Sequence, residues 1–184
     1  MLFDLTLRIT SEMMKTAGEG EKKVFSGHLG THFDVMDKEF PLEYTKKDAV
    51  FFDVRGMEEI GVEDIDLDLV QTGMFVAFYS GFIEDAGYGT KRYFKEHPQL
   101  HHALIEALLD KNVSIIGVDF AGVRRGKEHT PADQKCAEHG TFVVENLCNL
   151  GEICGKKFIA HTYPMNYAEL SGLPCRVVAE RMGL

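Results

Sequence analysis

His28, His32 and Asp34 stand at i, i+4 and i+6 within the segment His28-Leu29-Gly30-Thr31-His32-Phe33-Asp34. Two imidazoles and a carboxylate are borderline-hard ligands suited to Zn²⁺ or Mn²⁺. Their even spacing places all three side chains on one face of a strand. A straight strand, rising ~3.3 Å per residue, would hold His28 and His32 about 13 Å apart, too far for one ion. The segment is therefore expected to bend, and Gly30 is the residue that permits it. Thr31 offers a hydroxyl that could orient a ligand. Two histidines near an acid also arise as ordinary hydrogen-bonded side chains, and composition alone does not separate the readings. The full H-x-G-T-H-x-D string is more specific, with a chance occurrence on the order of 10⁻⁵ in a chain of this size.

Composition leaves room for such a site. The 184 residues include 20 Lys and Arg against 29 Asp and Glu, a formal charge of −9. A chain this acidic is a poor general binder of phosphate backbones, so no nucleic-acid partner is expected. The length favours one domain over residues 1–184, with a core large enough to fold without disulfides or a structural metal. Cys136, Cys148, Cys154 and Cys175 form no C-x-x-C pair. They read as free thiols in a reducing cytoplasm. The opening MLFDLTLRIT has no basic stretch leading into an apolar run, unlike a secretion signal. No run approaches ~18 apolar residues, so neither a membrane span nor a membrane partner is expected.

The elements that must position the cluster follow from periodicity. Phe3, Leu5, Leu7 and Ile9 alternate with polar residues, as in a strand with one wet face. Residues 11–24 and 35–47 read as loops, the second broken by Pro41. Strands are expected at 49–54, 73–80, 113–120, 141–147, 157–163 and 175–180, while 62–70 fits a short helix or a strand. Leu100, Ala103, Leu104, Ala107 and Leu108 follow the helical spacing, which predicts a helix over 98–111 with Pro98 in its first turn. Thr130-Pro131-Ala132-Asp133 reads as the start of a second helix, ending near Gly140. Strands outnumber helices and some follow one another directly. This predicts a mixed α/β (α+β) fold rather than a regular βαβ series.

At the histidine string the chain resembles the cyclase family of metal-dependent hydrolases, which includes bacterial kynurenine formamidases and carries H-x-G-T-H-x-D-x-P-x-H. His28, Gly30, Thr31, His32 and Asp34 match its first seven positions. Further similarity runs in order through Thr72-Gly73, Tyr93-Phe94 with His97-Pro98, Gly117-Val118-Asp119, Val144 to Leu150, and Gly172 to Arg176. The resemblance implies a single-domain swivelling β/β/α fold and a homo-oligomer, a homodimer or homotetramer. It also implies one or two divalent ions per chain, Zn²⁺ first and Mn²⁺ second. His28, His32 and Asp34 would be metal ligands, with Asp34 able to bridge two ions. Glu145 would be a ligand or a base. A family histidine twelve residues before that glutamate is here Asp133, which reads equally as a ligand or as an acid at a helix N-terminus. His129 and His139 are nearby substitutes, and both read as exposed helix-end residues.

Two motif positions depart. The family's proline is Met36, and its third histidine is Lys38. A lysine with a pKa near 10.4 is a poor base at neutral pH. As a cation Lys38 could instead stabilise an oxyanion or hold a substrate carboxylate. The expected activity is hydrolysis of an amide-type C–N bond, formamide or cyclic amide, in a small molecule, by metal-activated water. Lys38 and Glu145 would be its catalytic residues. The alternatives are an altered family member that binds metal and a small anion or partner without formamidase activity, and a metal or hydrogen-bond network that only braces the fold. Elsewhere, Asp119 reads as a turn or capping acid, His101-His102 as exposed, His161 as a core histidine, and Arg124-Arg125 with Lys127 as solvated loop charges.

Overall fold

The computed structural model describes residues 1–15, 26–153 and 157–181. Its strands are β1 (Leu2–Asp4), β2 (His32–Asp34), β3 (Lys46–Asp53), β4 (Glu59–Ile60), β5 (Phe75–Tyr79), β6 (Gln99–Leu100), β7 (Ile115–Val118), β8 (Phe142–Glu145), β9 (Lys157–Pro164) and β10 (Gly172–Arg181). The helices are α1 (Ser11–Lys15), α2 (Phe82–Ala86), α3 (Lys91–Glu96), α4 (His102–Asp110) and α5 (His129–Glu138). Eight strands form one sheet in the order β1-β10-β2-β8-β7-β5-β3-β9, and β9 also pairs with β10, so the sheet curls round and closes. The pairs β3–β5, β5–β7 and β7–β8 are parallel, and the remaining pairs of this sheet are antiparallel. Closure leaves few exposed edges, which suits a sheet with so little helix around it.

The parallel strands β5, β7 and β8 are buried on both faces, which is why their sequences run apolar rather than alternating. Along β5, Val76 and Phe78 pack outward against Leu104 and Leu108 of α4 and Cys136 of α5. Phe75 and Ala77 point inward with Phe33, Phe142, Phe158 and Val177. One face of the sheet therefore carries a helical layer, and the other lines the closed interior. That is the mixed α+β fold expected from the strand count.

Several boundaries moved for identifiable reasons. The first strand stops at Asp4 because the backbone beyond it is engaged elsewhere: Leu7 N donates to Thr31 Oγ1 at 2.8 Å and Thr6 Oγ1 to the Val177 carbonyl at 3.1 Å. The helix expected from Pro98 begins at His102. Gln99 and Leu100 instead pair with β4, and His101 caps the helix by accepting from Ala103 N. Residues 62–70 take the helical alternative, split into two short 3-10 helices, the second capped by Asp66. α5 starts at His129, one residue before the Thr130 cap that was expected, and ends at His139-Gly140 as expected, Gly140 having φ 72°. Within the polar stretch 11–24, Ser11–Lys15 is helical and the rest lies outside the described residues. Among the described residues no helix is long and apolar enough to cross a membrane.

A Cβ added at Gly117 in β7 would lie 2.6 Å from Phe75 Cζ and 2.9 Å from Leu147 Cδ1. Gly117→Ala should therefore destabilise the fold by about 1–3 kcal/mol, read as a lower urea midpoint at unchanged slope. Cys136 and Cys175 are free and buried. Burial pushes the Cys136 thiol up to about 12 and that of Cys175 higher still. A disulfide reagent at pH 8 should leave both unmodified until denaturant is added.

Candidate metal centre

The bend expected at Gly30 is present, with φ 73°. It folds His28 back over His32, so that the rings lie 5.0 Å apart between centroids rather than a strand's length away. β2 then carries His32 and Asp34 into the sheet between β10 and β8, where His32 stands opposite Glu145 in register. From the helical layer, α5 presents His129 and Asp133, one turn apart and hence on one face. Two overlapping groups result: His28, His32 and Asp34, and Asp34, His129, Asp133 and Glu145, each with its donor atoms within 4.8 Å of one another. Asp34 Oδ1 is 3.1 Å from His28 Nε2 and 3.6 Å from His32 Nε2. His32 Nε2 is 3.7 Å from Glu145 Oε2, and His129 Nε2 lies 3.2 Å from Asp133 Oδ2 and 3.5 Å from Glu145 Oε1.

Each imidazole is held from behind and offers Nε2 forward. His32 Nδ1 donates to the Gly30 carbonyl at 2.8 Å, and His28 Nδ1 is 2.9 Å from Ser26 Oγ. The His129 ring hydrogen-bonds the Arg124 backbone carbonyl. This arrangement fixes ring orientation, as it does behind metal-ligating histidines. The hydroxyl anticipated at Thr31 works on the backbone instead: it donates to the Asn146 carbonyl at 2.7 Å. Asn146 Nδ2 in turn donates to the Gly30 carbonyl, and Tyr93 donates to Asn146 Oδ1.

The electrostatics ask for a cation. Asp34, Asp133 and Glu145 are 2%, 2% and 4% exposed. Two carboxylates within 4.8 Å of each other, if both charged, would repel by at least roughly 3 kcal/mol at an effective dielectric of ~20. Burial pushes the Asp34 carboxyl up, but the His32 and His28 imidazoles outweigh it and hold the group well below the usual carboxylate range. Burial, reinforced by the charge of Asp34, holds Asp133 well above it. Burial lowers His129, against the pull of Asp34. Asp34 Oδ2 and Asp133 Oδ1 are buried without a hydrogen-bond partner among the described residues. Buried polar atoms are seldom left this way. Imidazole Nε2 atoms gathered against buried carboxylates, two of whose oxygens have no hydrogen-bond partner among the described residues, fit a divalent metal.

Residues 3–124 match the "Putative cyclase" family. The chain belongs to the cyclase family. Its fold is shared with a potential metal-dependent hydrolase with cyclase activity, at 21% identity and TM-score 0.80 over 100% of this chain and 99% of that one. A "predicted metal-dependent hydrolase" from Bacillus stearothermophilus aligns at 20% identity and TM-score 0.78 over 97% of both chains. Isatin hydrolase A from Labrenzia aggregata aligns at 17% and 0.75, over 97% of this chain and 93% of that one. No curated protein matches the chain in sequence.

Of the residues named from the sequence of this cyclase-family member, the fold gathers His28, His32, Asp34, Asp133 and Glu145. It leaves Lys38 outside both groups. Lys38 Nζ pairs with Asp37 at 3.1 Å, and Asp37 also accepts from Gln134 on α5, the neighbour of Asp133. His129 is the residue misplaced by sequence reasoning. Thr130-Pro131 resembles a helix start and puts His129 outside the helix, yet a preceding 3-10 turn, Gly126–Glu128, carries the helix one residue earlier. The i, i+4 spacing to Asp133 was the signal available. His139 is a helix-end residue, its Nδ1 2.8 Å from the Lys135 carbonyl. Arg124 is not a solvated charge: it is buried, and its guanidinium donates to Glu59, Glu128 and the Leu100 carbonyl. Asp119 is a buried turn acid accepting from Ser80 and Gly81, and His161 is a half-buried partner of Glu180 at 2.8 Å.

Adding Zn²⁺ or Mn²⁺ to chelator-treated protein at ~100 times its Kd should stabilise it by about 2.7 kcal/mol, raising Tm by roughly 5–10 °C. Gly122 has φ 108°, and a Cβ there would fall 2.3 Å from His129 Nδ1. Gly122→Ala should displace that ring and weaken metal binding by ~10–100-fold in a calorimetric titration.

Proposed function

We propose that the protein is a metal-dependent hydrolase acting on an amide-type C–N bond, a formamide or a cyclic amide, in a small molecule. The observation that carries this reading is the pair of groups sharing Asp34, in which imidazole Nε2 atoms meet one oxygen of Asp34 and of Asp133 while the other oxygen of each is buried without a hydrogen-bond partner among the described residues. The relatives in structure include an isatin hydrolase, which supports a cyclic amide as the substrate class. His28, His32 and Asp34 would hold one divalent ion, Zn²⁺ or Mn²⁺. Asp34, His129, Asp133 and Glu145 are placed to hold a second. A bound divalent cation supplies Lewis acidity toward a carbonyl and lowers the pKa of water to near 7. Glu145 would be a ligand of that second ion or, where that ion is absent, the base that takes a proton during attack. His28 and His129 are the least buried members, so substrate enters on their side.

Lys38 is assigned to substrate binding at the rim. Its Nζ pairs with Asp37 at 3.1 Å, outside both groups of metal-ligating side chains. The exposed apolar side chains Leu42, Tyr163, Met165 and Tyr167 support assembly into a homodimer or homotetramer. The free thiols support a cytoplasmic location.

Hydrolysis of an N-formyl arylamine and of a cyclic amide such as isatin, followed by absorbance, tests the reading. Wild type should turn over one of them. Chelation or His32→Ala should cut kcat/KM by at least ~10²-fold, as should Glu145→Gln. Lys38→Met should raise KM with kcat nearly unchanged. Equal turnover by wild type and His32→Ala would sink the catalytic assignment. Metal binding without turnover of either substrate would favour the altered binder suggested by the missing third histidine.

A further inference from the structure

The two groups that share Asp34 differ in chemistry. His28, His32 and Asp34 offer two nitrogens and one oxygen. Asp34, His129, Asp133 and Glu145 offer one nitrogen and three carboxylates. Imidazole-rich sites suit zinc, whereas carboxylate-rich sites suit harder ions such as Mn²⁺ or Mg²⁺. The second group also holds a mark of a missing ligand of its own, the buried Asp133 Oδ1, and shares another, Asp34 Oδ2, with the first; each is without a hydrogen-bond partner among the described residues. Its helical half lies beyond the stretch that matches the family, which ends at residue 124.

His129 and Asp133 are set by features of this chain rather than by the histidine string. Arg124, buried between Glu59 and Glu128, pins the 3-10 turn that leads into α5. Its own carbonyl holds the His129 ring, and Gly122 leaves room for that ring. Asp133 follows one turn later and faces Glu145 across His129. A carboxylate at position 133, with imidazole moved back to 129, adds a hard donor while keeping one nitrogen.

We infer that the centre binds two unlike cations, a borderline ion such as Zn²⁺ at His28-His32-Asp34 and a harder ion such as Mn²⁺ at Asp34-His129-Asp133-Glu145. This rests on the metal-dependent reading above and adds to it which residues select which ion. Zn²⁺ outcompetes Mn²⁺ at most sites when both are plentiful, so the preference shows only when zinc is limiting.

The test loads metal-free protein with a single equivalent of Zn²⁺ and then excess Mn²⁺, removes unbound metal, and measures both by mass spectrometry and by anomalous scattering at each absorption edge in crystals. The expected result is zinc at His28-His32 and manganese at His129-Asp133, close to one of each per chain. Asp133→Asn, which keeps the side chain's shape, should weaken Mn²⁺ at least ~10-fold by electron paramagnetic resonance titration and retain the zinc. His28→Ala should do the reverse, which guards against a variant that merely misfolds. Zinc spread over both positions, manganese at the first, or one ion held by all the ligands together would overturn the inference while leaving the hydrolase reading intact. No ion retained at either position would overturn both.

Discussion

Three buried carboxylates, Asp34, Asp133 and Glu145, converge on one small volume with three imidazoles, His28, His32 and His129, beside them. All three cannot be charged together at ease in so little solvent. A divalent cation at the site would relieve that conflict. The opposite directions in which Asp34 and Asp133 depart from ordinary carboxylates express that conflict: one is kept charged by its histidines, and the other is driven toward neutrality by burial and by the first. The formal −9 of the chain is therefore partly a count of ligands awaiting their counter-charge.

The scaffold supplies the rigidity such a conflict needs. β2 contributes only three residues, yet it is paired on both sides, to β10 and to β8. Antiparallel register sets His32 against Glu145, so two ligands from distant parts of the chain are aligned by backbone hydrogen bonds alone. Behind them, Thr31, Asn146 and Tyr93 tie the bend at Gly30 to the end of β8. On the other side, Arg124 locks the turn before α5 through two carboxylates and a carbonyl. Sheet and helical layer are thus each anchored by their own buried polar network, and the ligands sit where the two meet.

The parallel strands were legible because strands buried on both faces read as continuous apolar runs. The expected run at 113–120 became β7, and those at 141–147 and 73–80 became β8 and β5. Local patterns failed where a distant partner claimed the backbone. Leu100 pairs in β6 and donates to the Val123 carbonyl instead of opening a helix, and Leu7 is diverted to Thr31. His129 failed for a related reason, since a threonine-proline pair is a valid helix start that the preceding 3-10 turn overrode.

The sequence by itself determined the ligand types at 28, 32 and 34, the need for a bend at Gly30, and kinship with the cyclase family. These depend on residue identity, close spacing and backbone freedom, all of which are local. The tertiary structure decided which acids join those ligands, that His129 stands with Asp133 and Glu145, and that Lys38 turns to Asp37 instead. Those outcomes depend on the register that pairs β2 with β8, more than a hundred residues apart in the chain, and on where α5 starts relative to that sheet. They are set by long-range pairing and burial, which spacing within a segment does not encode.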